Sequence, residues 1–317
     1  MHPALSVVLF TTLAGAAQGL VLALVTAEWV DRWQGLGPVP DAGLFAIGAA
    51  VAVALGCAGL LASFFHLGRP ERAWRTASMW RTSWLSREVI VLPAFLALTL
   101  AYALTHARTH ESALVLGAVA AATALALFLC TGMIYACIRF LGEWATPLTP
   151  INFALLGCAN GFTLAAAISA LASSERVRFF AVWAVAFTLL ALIGRAAAWR
   201  RNARLVPKST LQTAIGIKHR HIEQKSQGFM GGSFNTREFF HGRSDGTLRR
   251  LRKLCLAAAF GLPLALLLTA LITVLAAAPA TVLVAAALLQ YLGLLAERWL
   301  FFAEAKHPQN LYYQRMA

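Results

Sequence analysis

LCLAAAFGLPLALLLTALITVLAAAPATVLVAAALLQYLGLLAERWLFFA, residues 254–303, decides how this chain is built. The run is far longer than the roughly 20 apolar residues that one helix needs to cross a bilayer. AAAPAT (276–281) supplies the only break, and Pro279 suits the first turn of a new helix, where its missing N–H costs nothing. We therefore read two spans here, 252–277 and 279–303. Working back along the chain, six further apolar stretches qualify, roughly 4–30, 42–65, 88–106, 112–139, 151–173 and 177–199. The expectation is an all-α, polytopic bundle of about eight transmembrane helices, forming a single membrane-anchor domain over 1–317. It carries one large polar loop, 200–251.

Charge placement tests the count. Eight spans put 23 of the 27 Lys and Arg on one side, fourteen of them between 195 and 253. Cytoplasmic loops collect Lys and Arg, so both termini and the long loop are expected in the cytoplasm. A count wrong by one would throw the two basic loops onto opposite faces. Composition agrees: 59% of residues are hydrophobic, 13% are charged and the mean hydropathy is +0.68. Soluble domains carry about 25% charged residues. The net charge of +14 is thus read as topology and docking surface, not as a nucleic-acid footprint. Residues 4–30 are too long for a signal-peptide core and have no Lys or Arg before them, so they read as the first span.

The segment richest in chemistry is FFHLGRPERAWRTASMWRTSWLSREV, residues 64–89, joining spans two and three on the basic side. Interfacial Trp and Arg are common as an aromatic belt with snorkelling cations. Helix dipoles favour His66 at a helix C-terminus and Glu88 in a first turn. Together they also place an imidazole and a carboxylate at one membrane depth, which suits proton exchange with a quinone. Arg69 and Arg81 are candidates to orient a quinone headgroup or to grip a partner, and Trp84 to wall the slot. Tyr135 and Arg139 are read as ending span four, one turn apart. Arg139 is an anchor, a headgroup ligand or a partner for Glu88. Gln18, a lone amide in span one, is either an interhelical hydrogen-bonding group or a quinone ligand. In the long loop GFMGGSFNTREFFHG (228–242) combines Phe229, Phe234, Arg237, Phe239 and Phe240. The loop is either a solvated spacer or a docking surface, and with Arg72 and Arg75 we take it as docking surface.

Five cysteines show no CxxC spacing, so no metal or iron–sulfur site is expected in this chain. None of the eight histidines reads as mid-span, so no haem is expected. A secondary transporter would predict inverted repeats and mid-membrane charges, which are not evident. A pure scaffold is the other competing class.

The chain resembles the membrane anchor subunits of the DMSO reductase family (DmsC-like, within the NrfD-like group). The resemblance rests on FHLGRP (65–70), RAW (72–74), WRTSWLSRE (80–88), MIYACIRFLGEWATPLTPINF (133–153) and ERWLFFAEAKHPQNLYY (297–313). It implies a bacterial inner-membrane anchor holding an iron–sulfur subunit and a molybdopterin catalytic subunit. It also implies a site for ubiquinone or menaquinone, in which the family's histidine falls on His66 and its carboxylate on Glu88. The predicted orientation and the 228–242 loop are most like the branch whose anchors (SoeC-like) serve cytoplasm-facing sulfite dehydrogenase, passing electrons from sulfite to quinone. A reductase of the DMSO type would run the same anchor in reverse.

Overall fold

The computed structural model describes residues 3–35, 41–109, 113–207, 209–226, 237–273 and 280–316. Eight helices are long and apolar enough to cross a membrane. They are α1 (Leu5–Trp33), α2 (Ala42–Phe64), α3 (Trp84–Thr109), α4 (Leu114–Ala136), α5 (Leu148–Leu171), α6 (Val177–Asn202), the continuous pair α8 (Asp245–Leu256) and α9 (Leu262–Thr273), and α10 (Ala280–Ala303). Two short helices, α7 (Leu211–Ile215) and α11 (Gln309–Tyr312), lie outside the spans, and no strand occurs among the described residues. The expected all-α bundle of eight spans is what forms. The AAAPAT break lies mostly outside the described residues, but α9 ends before it and α10 begins within it.

The middle of the bundle is α1 packed on α5. Their interface carries two small-xxx-small motifs, Gly15 with Gly19 and Gly157 with Gly161. A Cβ added at Gly19 or Gly161 would overlap the backbone of the opposite helix. In lipid, where tails are as apolar as leucine, such backbone approach gives helices their packing energy. From this axis α2, α3 and α4 pack to one side, while α6, α9 and α10 pack to the other. The largest apolar cluster includes Leu20, Phe45, Phe95, Leu127, Phe180 and Leu283 and runs through both halves.

The seventh span is not uniform. Between α8 and α9 the chain makes a π-helical turn, Ala257–Gly261. There the backbone sits against α10 at Gly293, where a Cβ would strike Ala258 and Ala259. On the basic end, the chain after α10 returns over the bundle. The described part of the long loop clasps it: Glu238 N–H donates to the Arg315 carbonyl at 3.0 Å, and Gln224 N–H to the Gln314 side chain at 2.9 Å. Phe239 stands edge-on to Trp299 at 4.7 Å, and Phe240 is buried beside Cys255 and Leu300. The loop is therefore ordered against its own chain at these positions.

Candidate functional site

Three features position Glu88. Residues 70–79 wind as a 3₁₀ segment across the basic end, and the chain then turns into α3. The Ser83 hydroxyl accepts from Ser86 N–H at 3.3 Å, capping one free donor of the new helix. Arg87 locks the turn by donating to the Trp80 and Arg81 carbonyls at 2.9 and 2.8 Å, with its guanidinium 4.2 Å over the Trp84 ring. Because α3 already starts at Trp84, Glu88 lies one turn inside it, not in its first turn. Its side chain points into the bundle, and the residue is 5% exposed. One carboxylate oxygen accepts from the Thr131 hydroxyl of α4, and Glu88 makes no ion pair among the described residues. A buried carboxylate with a single neutral partner is an under-bonded acid, open to a further donor or a proton.

His66 lies two residues past the end of α2, exposed, with its ring 6.5 Å from Phe10 of α1. Partial desolvation pulls its imidazole below the ordinary 6.5, which favours the neutral form. It makes no direct hydrogen bond to Glu88, so any exchange between them runs through water or a ligand. Arg69, Arg72, Arg75 and Arg81 are exposed on the same end. Arg75 and Arg81 lie beside the Trp74 and Trp80 rings, at 5.4 and 5.3 Å. Arg72 has only a 3.9 Å contact with Glu71. Trp74, Trp80 and Phe65 are exposed with these arginines in the segment that leads from α2 into α3 and Glu88. Trp84, the first residue of α3, is half-buried.

Other candidates separate. Gln18 is buried, but its Nε2 donates to its own helix at Ala14 O (3.0 Å) and its Oε1 has no partner. It sits thirteen residues into α1, roughly 20 Å from that helix's basic end, whereas Glu88 is roughly 6 Å into α3. The two are therefore at different depths. Arg139 is exposed and lies beyond the end of α4 at Ala136, so it neither stacks one turn from Tyr135 nor pairs with Glu88. Tyr135 is one turn beyond Thr131 and enters an aromatic box of Trp144, Phe153, Phe301 and Phe302, at centroid distances of 5.2–5.7 Å. Arg237 is exposed and donates to the His241 carbonyl at 3.3 Å, Phe239 is half-buried on Trp299, and Phe234 lies outside the described residues.

Two buried charge clusters are not foreseen from the sequence. On the basic end, Arg195 of α6 meets Glu297 of α10 at 3.0 Å, and Arg298 meets Glu297 at 3.5 Å. Glu304 joins Arg195 (3.7 Å), Arg252 (2.7 Å) and the Trp199 indole N–H (3.1 Å). The charge count above places Arg195 and Arg298 among loop charges; both are buried inside spans. That correction leaves 21 basic residues on this side against four, so the asymmetry survives. The ER pair inside an apolar run (297–298) was the available signal, since ionisable groups within a span mark a functional site by default. On the opposite end, Glu28 of α1 accepts from the Tyr102 hydroxyl (2.6 Å) and Ala113 N–H (2.8 Å) and lies 3.4 Å from the His106 ring nitrogen. His106 is fully buried within α3, which runs on to Thr109. Nearby Arg176 bridges Asp31 and Asp41. Among the described residues no group of three His, Cys, Asp or Glu is arranged to hold a metal, and the cysteines are free.

Residues 1–303 match the family of DMSO reductase anchor subunits (DmsC). A sulfite dehydrogenase subunit from Allochromatium vinosum is 53% identical over 331 aligned positions, which cover the whole of both chains.

Proposed function

The chain belongs to the DmsC family of anchor subunits, and from that premise we propose that it is the quinone-site subunit of a sulfite-oxidising complex in the bacterial inner membrane. The observation that carries the reading is Glu88. It is a nearly buried, under-bonded carboxylate one turn below a surface of exposed Arg and Trp, at the end of the bundle where the basic loops gather. The kinship with a sulfite dehydrogenase subunit supports sulfite as the electron source. The overall reaction balances as sulfite, water and quinone giving sulfate and quinol. Two electrons come from an iron–sulfur subunit docked on the basic end, which itself receives them from a molybdopterin subunit. The quinone supplies the two-electron, two-proton acceptor chemistry.

The chain's own part is binding and proton handling. Glu88 holds a proton or a hydrogen bond at the headgroup, oriented by Thr131. His66, neutral and accessible, exchanges protons with the aqueous edge. Arg69 and Arg81, with Trp84, flank the approach, and Arg72, Arg75, Arg237 and Phe239 belong to the docking face. In this reading the termini and the long loop face the cytoplasm with the partners, the quinone is ubiquinone or menaquinone, and no haem intervenes. The test is turnover by the purified complex. Glu88→Gln and His66→Ala should lose sulfite-to-quinone electron transfer, while sulfite oxidation with a soluble dye persists. Quinone turnover at wild-type rate in both variants would remove the site assignment. Faster oxidation of quinol by DMSO than of sulfite by quinone would reverse the direction.

A further inference from the structure

The seventh span leaves one side uncovered along its length. Leu254, Ala257, Leu262, Leu268 and Ile272 are exposed, and no charged residue follows Lys253 before α9 ends at Thr273. On a spanning helix such an apolar side meets acyl chains. Ile272 lies nineteen residues beyond Lys253, about 28 Å along the helix, against about 30 Å of hydrocarbon in a bilayer. With Ile272 at one edge of the hydrocarbon, Lys253 is therefore at the other. Arg249 and Arg250 stand on the same part of α8, and at 100° per residue the three cations fall within an arc of about 100°. All three are exposed. Leu251 and Cys255 turn away from them, onto Leu300 of α10. Arg252 between them is engaged by Glu304 at 2.7 Å and lies 5.8 Å from the Trp199 ring of α6.

That contact sets the basic end of α6 beside α8. Arg200 and Arg204 are exposed there, heading a second apolar stripe of Leu189, Ile193 and Ala196. None of these five cations makes an ion pair among the described residues. Asp245, the one acid of α8, is its first residue; set against Arg249 at i, i+4 it leaves the other four. Glu238 and Glu297 are buried, Glu304 is paired with Arg252 and Arg195, and Glu223 with Lys225. The dipole at a helix C-terminus accounts for Arg200 and Arg204. It gives nothing to Arg249, Arg250 and Lys253, which lie in the second and third turns of a helix that runs on to Thr273. A protein docked on the basic end meets the end of the bundle, whereas cations heading lipid-facing stripes stand over the bilayer.

We propose that the flank formed by α6 and α8 binds an anionic phospholipid. Arg249, Arg250 and Lys253, with Arg200, hold its phosphate, and its acyl chains lie on the apolar stripes below them. The inference is independent of the quinone reading. Basic residues beside a span select anionic headgroups, each strengthening binding about fivefold, so three together give on the order of 10²-fold. A zwitterionic headgroup brings its own cation to the site and gains much less.

The test is lipid binding by the intact complex. The complex is stripped of lipid in mild detergent and titrated with phosphatidylglycerol or with phosphatidylcholine of the same chains, and bound lipid is counted by native mass spectrometry. Phosphatidylglycerol should bind more tightly, and its affinity should fall as salt rises from about 0.05 to about 0.5 M. Replacing Arg249, Arg250 and Lys253 together by Gln should weaken phosphatidylglycerol about 10²-fold, leaving phosphatidylcholine binding and the retained partner subunits unchanged. Arg249→Lys with Arg250→Lys keeps the charge and should stay near wild type. Equal affinity for the two lipids, or an unchanged affinity in the Gln variant, would overturn the inference. So would loss of the partner subunits with lipid binding intact, which would make the patch a protein dock. Should the triple variant not assemble, Arg250→Gln and Lys253→Gln decide singly, each with an expected loss of about fivefold.

Discussion

Glu28 and Glu88 are both carboxylates buried in membrane-spanning helices, at opposite ends of one bundle, yet their surroundings differ in kind. Glu28 is saturated: a phenol, a backbone N–H and an imidazole converge on it from α3 and the start of the next helix. Glu88 has a single hydroxyl. A saturated acid has its donors supplied by the fold and serves to tie helices together. An under-bonded one waits for a donor the fold does not contain. The difference teaches that burial alone does not distinguish two carboxylates, whereas the count of their donors does.

Substitutions can break this contrast. The largest effect is expected from Glu88→Gln, which should lower quinone-dependent turnover by about 10²-fold or more, the usual scale for a positioned acid or base. Its effect on thermal unfolding of the complex should be small. Glu28→Ala should do the reverse. It strands Tyr102, His106 and the Ala113 N–H in the interior, with an expected loss of about 3–5 kcal/mol, seen as a lower melting temperature and poor assembly in detergent. If Glu28→Ala were silent in melting and Glu88→Gln destabilising, the assignment of roles would have to be exchanged.

A smaller effect sharpens the basic end. The His66 imidazole lies below 6.5, because its charged form is partly desolvated. Its protonation is therefore favoured in the unfolded chain, and its contribution to stability is complete above pH 6.5 and lost as pH falls. Quinone reduction takes up two protons, so the quinone-dependent rate should rise as pH falls below 6.5 and the imidazole gains a proton to pass on, and His66→Ala should lose that rise. An unchanged pH profile in the variant would remove His66 from the proton path. Least of all, Arg72→Ala or Arg75→Ala should alter stability by no more than about 0.5 kcal/mol. Each should instead weaken retention of the iron–sulfur partner as salt is raised, read by copurification. Retention indifferent to salt in both variants and the wild type would argue against an electrostatic docking face.

Much of this was legible in the sequence. Hydropathy and the distribution of Lys and Arg carry the eight spans, because both are local properties summed over many residues. The block around Glu88 declared itself by its density of His, Arg and Trp. Thr131 did not, since a threonine inside an apolar helix normally bonds its own backbone and gives no outward sign of a partner 43 residues away. Glu28 with His106 was equally silent, since neither residue's neighbours in the chain reveal the other. Arg195 and Arg298 were hidden for a different reason. Near a span end, a charge that snorkels and a charge that is paired inside look identical until a second helix is placed beside them. Loop chemistry was legible only in part: Phe240 is buried against Cys255 and Leu300 of the same chain, whereas Phe239 rests edge-on against Trp299 and stays half-buried.

The π turn at Ala257–Gly261 has a consequence for how the two stretches of the seventh span are phased. One residue added to a regular helix rotates everything on one side of it by about 100° relative to the other. The seventh span thereby presents two different azimuths to its neighbours. Below the turn, Leu267 and Ala270 face the apolar interior; above it, Arg252 is brought onto Glu304 and Cys255 onto Leu300. Excising a single alanine from the turn would straighten the helix, carry Arg252 away from its carboxylate and unfasten the clasp over the basic end without altering any charge in the chain.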